Sequence, residues 1–125
     1  RLGQRRDIPA FFAASDIVVS SSAFGEGFSN AIAEGMACGL PAVATDVGDT
    51  ARIVGDAGIV VAPRDPEALA SAIAILARMS PMERAALGCA ARRRIVERFS
   101  LERAARRFGA LYFPHGLSGP ADMRT

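Results

Sequence analysis

The sequence predicts an α/β fold, a small layer of about three parallel strands flanked by helices, with a helical C-terminal half. Three observations predict it. Short, unbroken, β-branched-rich runs at residues 16–20, 41–45 and 58–63 suit strands covered on both faces. Apolar positions at helical spacing fill the stretches between and after them, and strands alternating with helices at this interval mean parallel strands joined by right-handed crossovers. Finally, 125 residues that are 50% hydrophobic make one soluble globular domain rather than a disordered or fibrous chain.

Taken in order, residues 1–7 are polar and start abruptly, as if cut from something longer. Asp7 can cap a first helix with Pro9 in its first turn; Ile8, Phe11 and Phe12 share its apolar face, and it should fade near Ser15. The first strand follows. A second helix is expected over residues 29–38, closed by Gly39. Pro41 is compatible with the second strand only as its first residue. Residues 46–54 read as a loop entering a turn or short helix, ahead of the third strand.

Asp65, Pro66 and Glu67 open a helix in which Leu69, Ile73 and Leu76 repeat, running to about Met79. Ser80 and Glu83 have the form of a capping box, which starts a helix reaching about Phe99. Ser100 can cap another that places Phe108, Leu111 and Tyr112 on one side, and residues 114–125 are Gly/Pro-rich and polar, a flexible tail.

Charge and cysteine usage exclude several classes. A formal charge of +2 is too small to argue for nucleic acid. All fifteen basic residues are arginine, which a GC-rich coding bias explains first. Seven of them crowd residues 92–107 with Glu97 and Glu102 among them; such a run could touch phosphates or an anionic membrane surface. A solvated, partly paired helix face is preferred, since no aromatics interleave. Cys38 and Cys89 stand alone and read as reduced and packed, and His115 has no nucleophile beside it. Without a membrane-length apolar run or a signal-like N-terminus, a cytoplasmic protein is expected.

The chemistry concentrates between Ser20 and Pro41. Ligands of open parallel sheets sit beyond the carboxyl ends of the strands, where the loop after Ser20 lies. Gly25 and Gly27 let a ligand approach the backbone, and the unpaired amides of the next helix favour an anion such as phosphate. That helix is apolar around nearly its whole circumference, so it is expected to be buried; Asn30, Glu34 and Cys38 share one stripe, either a buried hydrogen-bond network or one wall of a polar pocket. Glu34 would stand roughly 6–8 Å along the axis from the amides, a separation that suits a ribose diol beyond a diphosphate. Glu26 is either a dipole-matched cap or a group that bonds a sugar hydroxyl or stabilises charge on an anomeric carbon. Spacing alone leaves both readings open.

The run Glu26-Gly-Phe-Ser-Asn-Ala-Ile-Ala-Glu34, continuing to Thr45, resembles the acid, seven residues, acid signature of retaining GT-B glycosyltransferases of family 4. The resemblance covers about residues 1–112. It implies a partial Rossmann-like domain, the latter part of a nucleotide-sugar-binding domain over residues 1–113. It implies that Glu26 is the catalytic residue, which contacts the transferred sugar and helps organise the reacting centre. Gly25 would belong to the donor loop, Gly27, Phe28, Ser29 and Asn30 would offer amides to sugar and distal phosphate, and Glu34 would hold the ribose hydroxyls. Relatives often carry Pro or Gly where Ser29 stands. The substrate implied is a nucleoside-diphosphate sugar, with no metal or other cofactor; Asp46 and Asp49 are too far apart for an Asp-x-Asp site and read as loop acids.

The family's phosphate-clamping basic residues and its acceptor domain belong upstream, so the partner implied is a missing N-terminal domain, and the chain alone is expected to be inactive. A strand at residues 16–20 left unpaired on one side would be a template for homodimers. Two other classes stay open: a non-catalytic nucleotide-sugar-binding module, which would keep Glu34 and the amides but need no Glu26, and an interaction fragment. An epimerase or phosphorylase of similar fold is less favoured, because those lack this spacing of acids.

Overall fold

The computed structural model describes residues 6–24 and 27–103. Their elements run α1 (Ile8–Ala13), β1 (Val18–Ser20), α2 (Asn30–Ala37), β2 (Ala42–Thr45), α3 (Thr50–Val54), β3 (Gly58–Val61), α4 (Pro66–Arg78) and α5 (Pro81–Phe99). The three strands form one parallel sheet in the order β1-β2-β3, with Val19 opposite Val43 and Val43 opposite Ile59. Helix content, strand count and direction agree with the sequence. The helix proposed after Ser100 begins at residues 101–103, where Ser100 Oγ accepts from the Arg103 amide at 3.3 Å; Phe108, Leu111, Tyr112, His115 and the proposed tail lie outside the described residues.

The alternation of β2 divides the core. Ala42 and Ala44 face one layer with Ile32, Met36, Ile53, Val54 and Ile95, while Val43 faces the other with Ala72 and Leu76. All of these are buried. Helices α2, α3 and α5 therefore cover one face and α4 the other, and the small alanines of β2 leave room for the large side chains of α2 and α3. Pro41 stands immediately before β2, one residue ahead of the strand it is expected to open, and still serves the sheet as an acceptor: the Val18 amide donates to its carbonyl at 3.0 Å.

β1 departs from the expectation of a strand covered on both faces. Val18 is buried, but Val19 on the opposite face is 43% exposed. α4 packs over β2 and β3, and Val19 is left partly exposed. Only tertiary placement of α4 decides this, since the run of apolar residues is equally compatible with one or two covers.

Asp7 occupies the N-cap of α1 as expected, but its side chain makes no cap hydrogen bond there; three other helix ends follow local rules. After α2, Gly39 takes φ +84°, its amide bonds the Met36 carbonyl at 2.9 Å and the Leu40 amide bonds Gly35 at 3.1 Å, a Schellman ending that reverses the chain into β2. Asp65 accepts from the Ala68 amide at 2.9 Å at the start of α4. The capping box of α5 is complete, with Ser80 Oγ accepting from the Glu83 amide at 3.2 Å and Glu83 Oε2 accepting from the Ser80 amide at 2.7 Å.

The arginine-rich α5 has a specific structural use. Arg92 donates to the Ala37 carbonyl at 2.7 Å at the end of α2; Arg94 donates to Arg52 and Ile53 at 2.6 and 2.9 Å at the end of α3. Arg84 donates to Ala77 and Met79, each at 3.0 Å, at the end of α4. One helix thus supplies cations to the carbonyl ends of three others, where the helix dipole is negative. These three guanidinium groups bind carbonyls of their own chain.

Candidate functional site

The loop after β1 leaves the sheet at a carboxyl end and is pinned from beneath. Thr45, at the end of β2, donates its hydroxyl to the Ser22 carbonyl at 2.5 Å. On the far side of the loop, the Asp49 amide donates to the Gly27 carbonyl at 2.9 Å. Gly25 and Glu26 lie outside the described residues. Among the described residues a side chain at Gly27 would meet nothing within 4 Å, so this backbone faces open space there.

Ser29 is the N-cap of α2, buried and in an extended conformation, and its hydroxyl does not bond a first-turn amide. The first amides of α2 are therefore not taken up by a side-chain cap. Ile32, Ala33, Gly35 and Met36 face the core. Asn30, Glu34 and Cys38 form a stripe on the opposite face, as the spacing predicts, but the stripe is exposed. This corrects the expectation of a helix buried on nearly all sides with Glu34 needing a buried partner. Ala31 lies outward as well, and alanine, with one methyl to hide, does not reveal which way a face points. Cys38 and Cys89 are free thiols but exposed rather than packed.

Phe28 points its ring toward the end of α5. The centroids of Phe28 and Phe99 are 5.8 Å apart and tilted by 54°, a favoured arrangement for two quadrupolar rings. The Arg52 guanidinium lies 5.6 Å from the Phe99 centroid and 3.4 Å from the Asp49 carboxylate. A cavity of about 360 Å³ opens here, lined by Arg52, Glu97, Arg98, Phe99 and Arg103. Sequence reasoning missed Phe99, Arg52 and Asp49 as neighbours of the loop. Asp49 and Arg52 stand three residues apart at the start of α3, but no local signal joins them to Phe28 or Phe99, which only the packing of α3 and α5 brings together.

Comparison with known proteins bears on the family and the fold. Residues 1–79 match the family of glycosyl transferases group 1. Over 67 residues, 54% of this chain and 17% of the relative, it is 42% identical to O-antigen chain mannosyltransferase B of Escherichia coli. Over 115 residues, 89% of this chain and 32% of the relative, it is 32% identical to lipopolysaccharide core biosynthesis mannosyltransferase LpsB of Rhizobium meliloti (strain 1021). Among solved structures, a glycosyltransferase from Rickettsia africae ESF-5 superposes with a TM-score of 0.80 at 28% identity, covering 87% of this chain and 30% of that one. Sucrose-phosphate synthase from Thermosynechococcus elongatus gives 0.72 at 36%, covering 82% and 26%.

The chain thus spans at most about a third of each of these relatives. With three parallel strands and flanking helices that match GT-B glycosyltransferase structures, and with the family match running through the loop and α2, the chain belongs to the glycosyl transferases group 1.

Proposed function

We propose that residues 1–113 are the latter part of the donor-binding domain of a retaining GT-B glycosyltransferase of the family 4 type. The whole protein would transfer a hexose from a nucleoside-diphosphate sugar to an acceptor with retention of anomeric configuration. One observation carries the reading: an N-terminus of α2 free of a side-chain cap, beside open space at Gly27, with Glu34 exposed one turn along the helix. At 1.5 Å per residue Glu34 stands about 6 Å along the axis from Asn30, a span that suits a diphosphate at the amides and a ribose at the carboxylate. Two relatives named as mannosyltransferases support a hexose as the transferred group.

In this reading the amides of Gly27, Phe28, Ser29 and Asn30 receive the sugar and the distal phosphate, assisted by the positive end of the α2 dipole. Glu34 accepts hydrogen bonds from the ribose hydroxyls; its exposure means that it is solvated before the ligand arrives and needs no protein partner. Gly25 gives the loop its close approach, and Glu26 stabilises positive charge developing at the anomeric carbon. The departing diphosphate is met by amides and basic side chains, so no divalent metal is required.

The test uses protein expressed from its complete reading frame. Glu34→Ala should weaken nucleoside diphosphate binding by about tenfold or more, the scale of one or two lost charge-assisted hydrogen bonds. Glu26→Ala should keep that binding and lose sugar transfer. If calorimetry finds no nucleoside diphosphate bound by the unaltered protein, the reading fails. The 125-residue chain by itself should form no product with any nucleotide sugar.

A further inference from the structure

We infer that Phe99 and Arg52 are positioning residues for the loop that carries Gly27 and Phe28, an assignment that rests on the donor-site reading above. Gly27 and Phe28 are held from two sides by groups that belong to neither β1 nor α2. The Gly27 carbonyl accepts from the Asp49 amide at 2.9 Å, and the Phe28 ring meets Phe99 at 5.8 Å. Arg52 ties these two supports together, with its guanidinium 5.6 Å from the Phe99 centroid and 3.4 Å from the Asp49 carboxylate. The contacts close into a ring running from Gly27 to Asp49, Arg52, Phe99 and Phe28, and back to Gly27 along the chain.

Such a ring matters because the Thr45 bond to Ser22 pins only the start of the loop. Phe28 is 41% exposed, and Gly27 faces open space. Amides that must bind a phosphate without rearranging need their backbone fixed beforehand, and side chains from α3 and from the end of α5 supply that constraint. Neither Phe99 nor Arg52 touches the ligand in this account; both act through Phe28 and Gly27. The end of α5 thereby becomes part of the donor site's support, and its orientation is coupled to the affinity for the distal phosphate.

The experiment measures calorimetric affinities of adenosine, guanosine, uridine and thymidine diphosphates, and of the matching monophosphates, on protein expressed from its complete reading frame. Arg52→Ala and Phe99→Leu should weaken diphosphate binding by about 10- to 100-fold, the scale of a misplacement near 1 Å. Binding of the monophosphates, which lack the distal phosphate, should stay within about threefold. Phe99→Tyr should restore the diphosphate affinity, and Met82→Ala, which is 82% exposed and remote from the loop in sequence, should match the unaltered protein.

Should Phe99→Leu fail to fold, the exposed Arg52→Ala decides the matter alone. An unaltered protein that binds no nucleoside diphosphate overturns the donor-site reading and this inference together. Diphosphate affinity unchanged in Arg52→Ala, or diphosphate and monophosphate affinities falling equally, overturns the inference alone.

Discussion

Arg64 has a φ of +62° at the turn between β3 and α4, a left-handed conformation that crowds the Cβ of any residue but glycine. Arg64→Gly should therefore raise stability by about 0.5–1 kcal/mol, the relief of strain being partly offset by the greater freedom of glycine in the unfolded chain. Denaturant unfolding read as a midpoint shift checks this, and an unchanged or lower midpoint counts against it. Glu83 carries a pH dependence. The bond it accepts from the Ser80 amide, and secondarily its bond with the Ser80 hydroxyl, hold its carboxyl below the ordinary carboxylate value. A folded-state value depressed below the unfolded one means that the contribution is present above the unfolded value and lost as pH falls through the folded one. Stability curves of the native chain and Glu83→Gln should run parallel near neutrality and converge in that acid window. Curves that keep their separation down to strong acid would rule out this role. The capping box was legible in sequence because Ser80 and Glu83 are three residues apart; the strain at Arg64 was not, because an arginine gives no local sign of positive φ.

At the scale of elements, α5 anchors the helical layer. Arg94 is 15% exposed and donates to two carbonyls at the end of α3, so Arg94→Ala leaves a dipole end unsatisfied and should cost about 1.5–3 kcal/mol. Arg92→Ala, at an exposed side chain, should cost only about 0.3–1 kcal/mol. Equal losses in the two variants would show that burial is not what distinguishes them. Gly88 permits the close approach of α5 to α2, since a Cβ there would come within 2.0 Å of the Gly39 carbonyl oxygen. Gly88→Ala should therefore destabilise by about 1–3 kcal/mol, and a thermal midpoint unchanged from that of the native chain would contradict it. The arginine run illustrates what composition leaves open. A phosphate, a membrane headgroup and a helix C-terminus all present negative partial or full charge to a guanidinium, and only the packing of α5 across α2, α3 and α4 selects the last for Arg84, Arg92 and Arg94.

Among the described residues β1 lies at the edge of the sheet, paired with β2 on one side and with Val19 partly exposed. An edge strand with free amides and carbonyls is a template for another strand. The 125-residue chain is therefore expected to self-associate through β1, and Val19→Lys to suppress this by placing a charge on the edge. Light scattering over a concentration series measures both, and a clean monomer of the native chain at high concentration sinks the proposal. Among the described residues no helix is long and apolar enough to cross a membrane.

The amino-acid sequence by itself determined the order and kind of the elements, the caps at Asp65 and Ser80, and the acid-bearing loop and helix that place the chain among the glycosyl transferases group 1. These are matters of short-range spacing: β-branched runs, residues three and four apart, a glycine at a helix end. Only the tertiary structure decided that the Glu34 stripe faces outward, that Val19 stays partly exposed, and that Phe99 and Arg52 stand behind Phe28. Each depends on which surfaces meet. An alanine-rich helix and a three-residue strand carry too little polar patterning to announce in advance which of their faces will be covered.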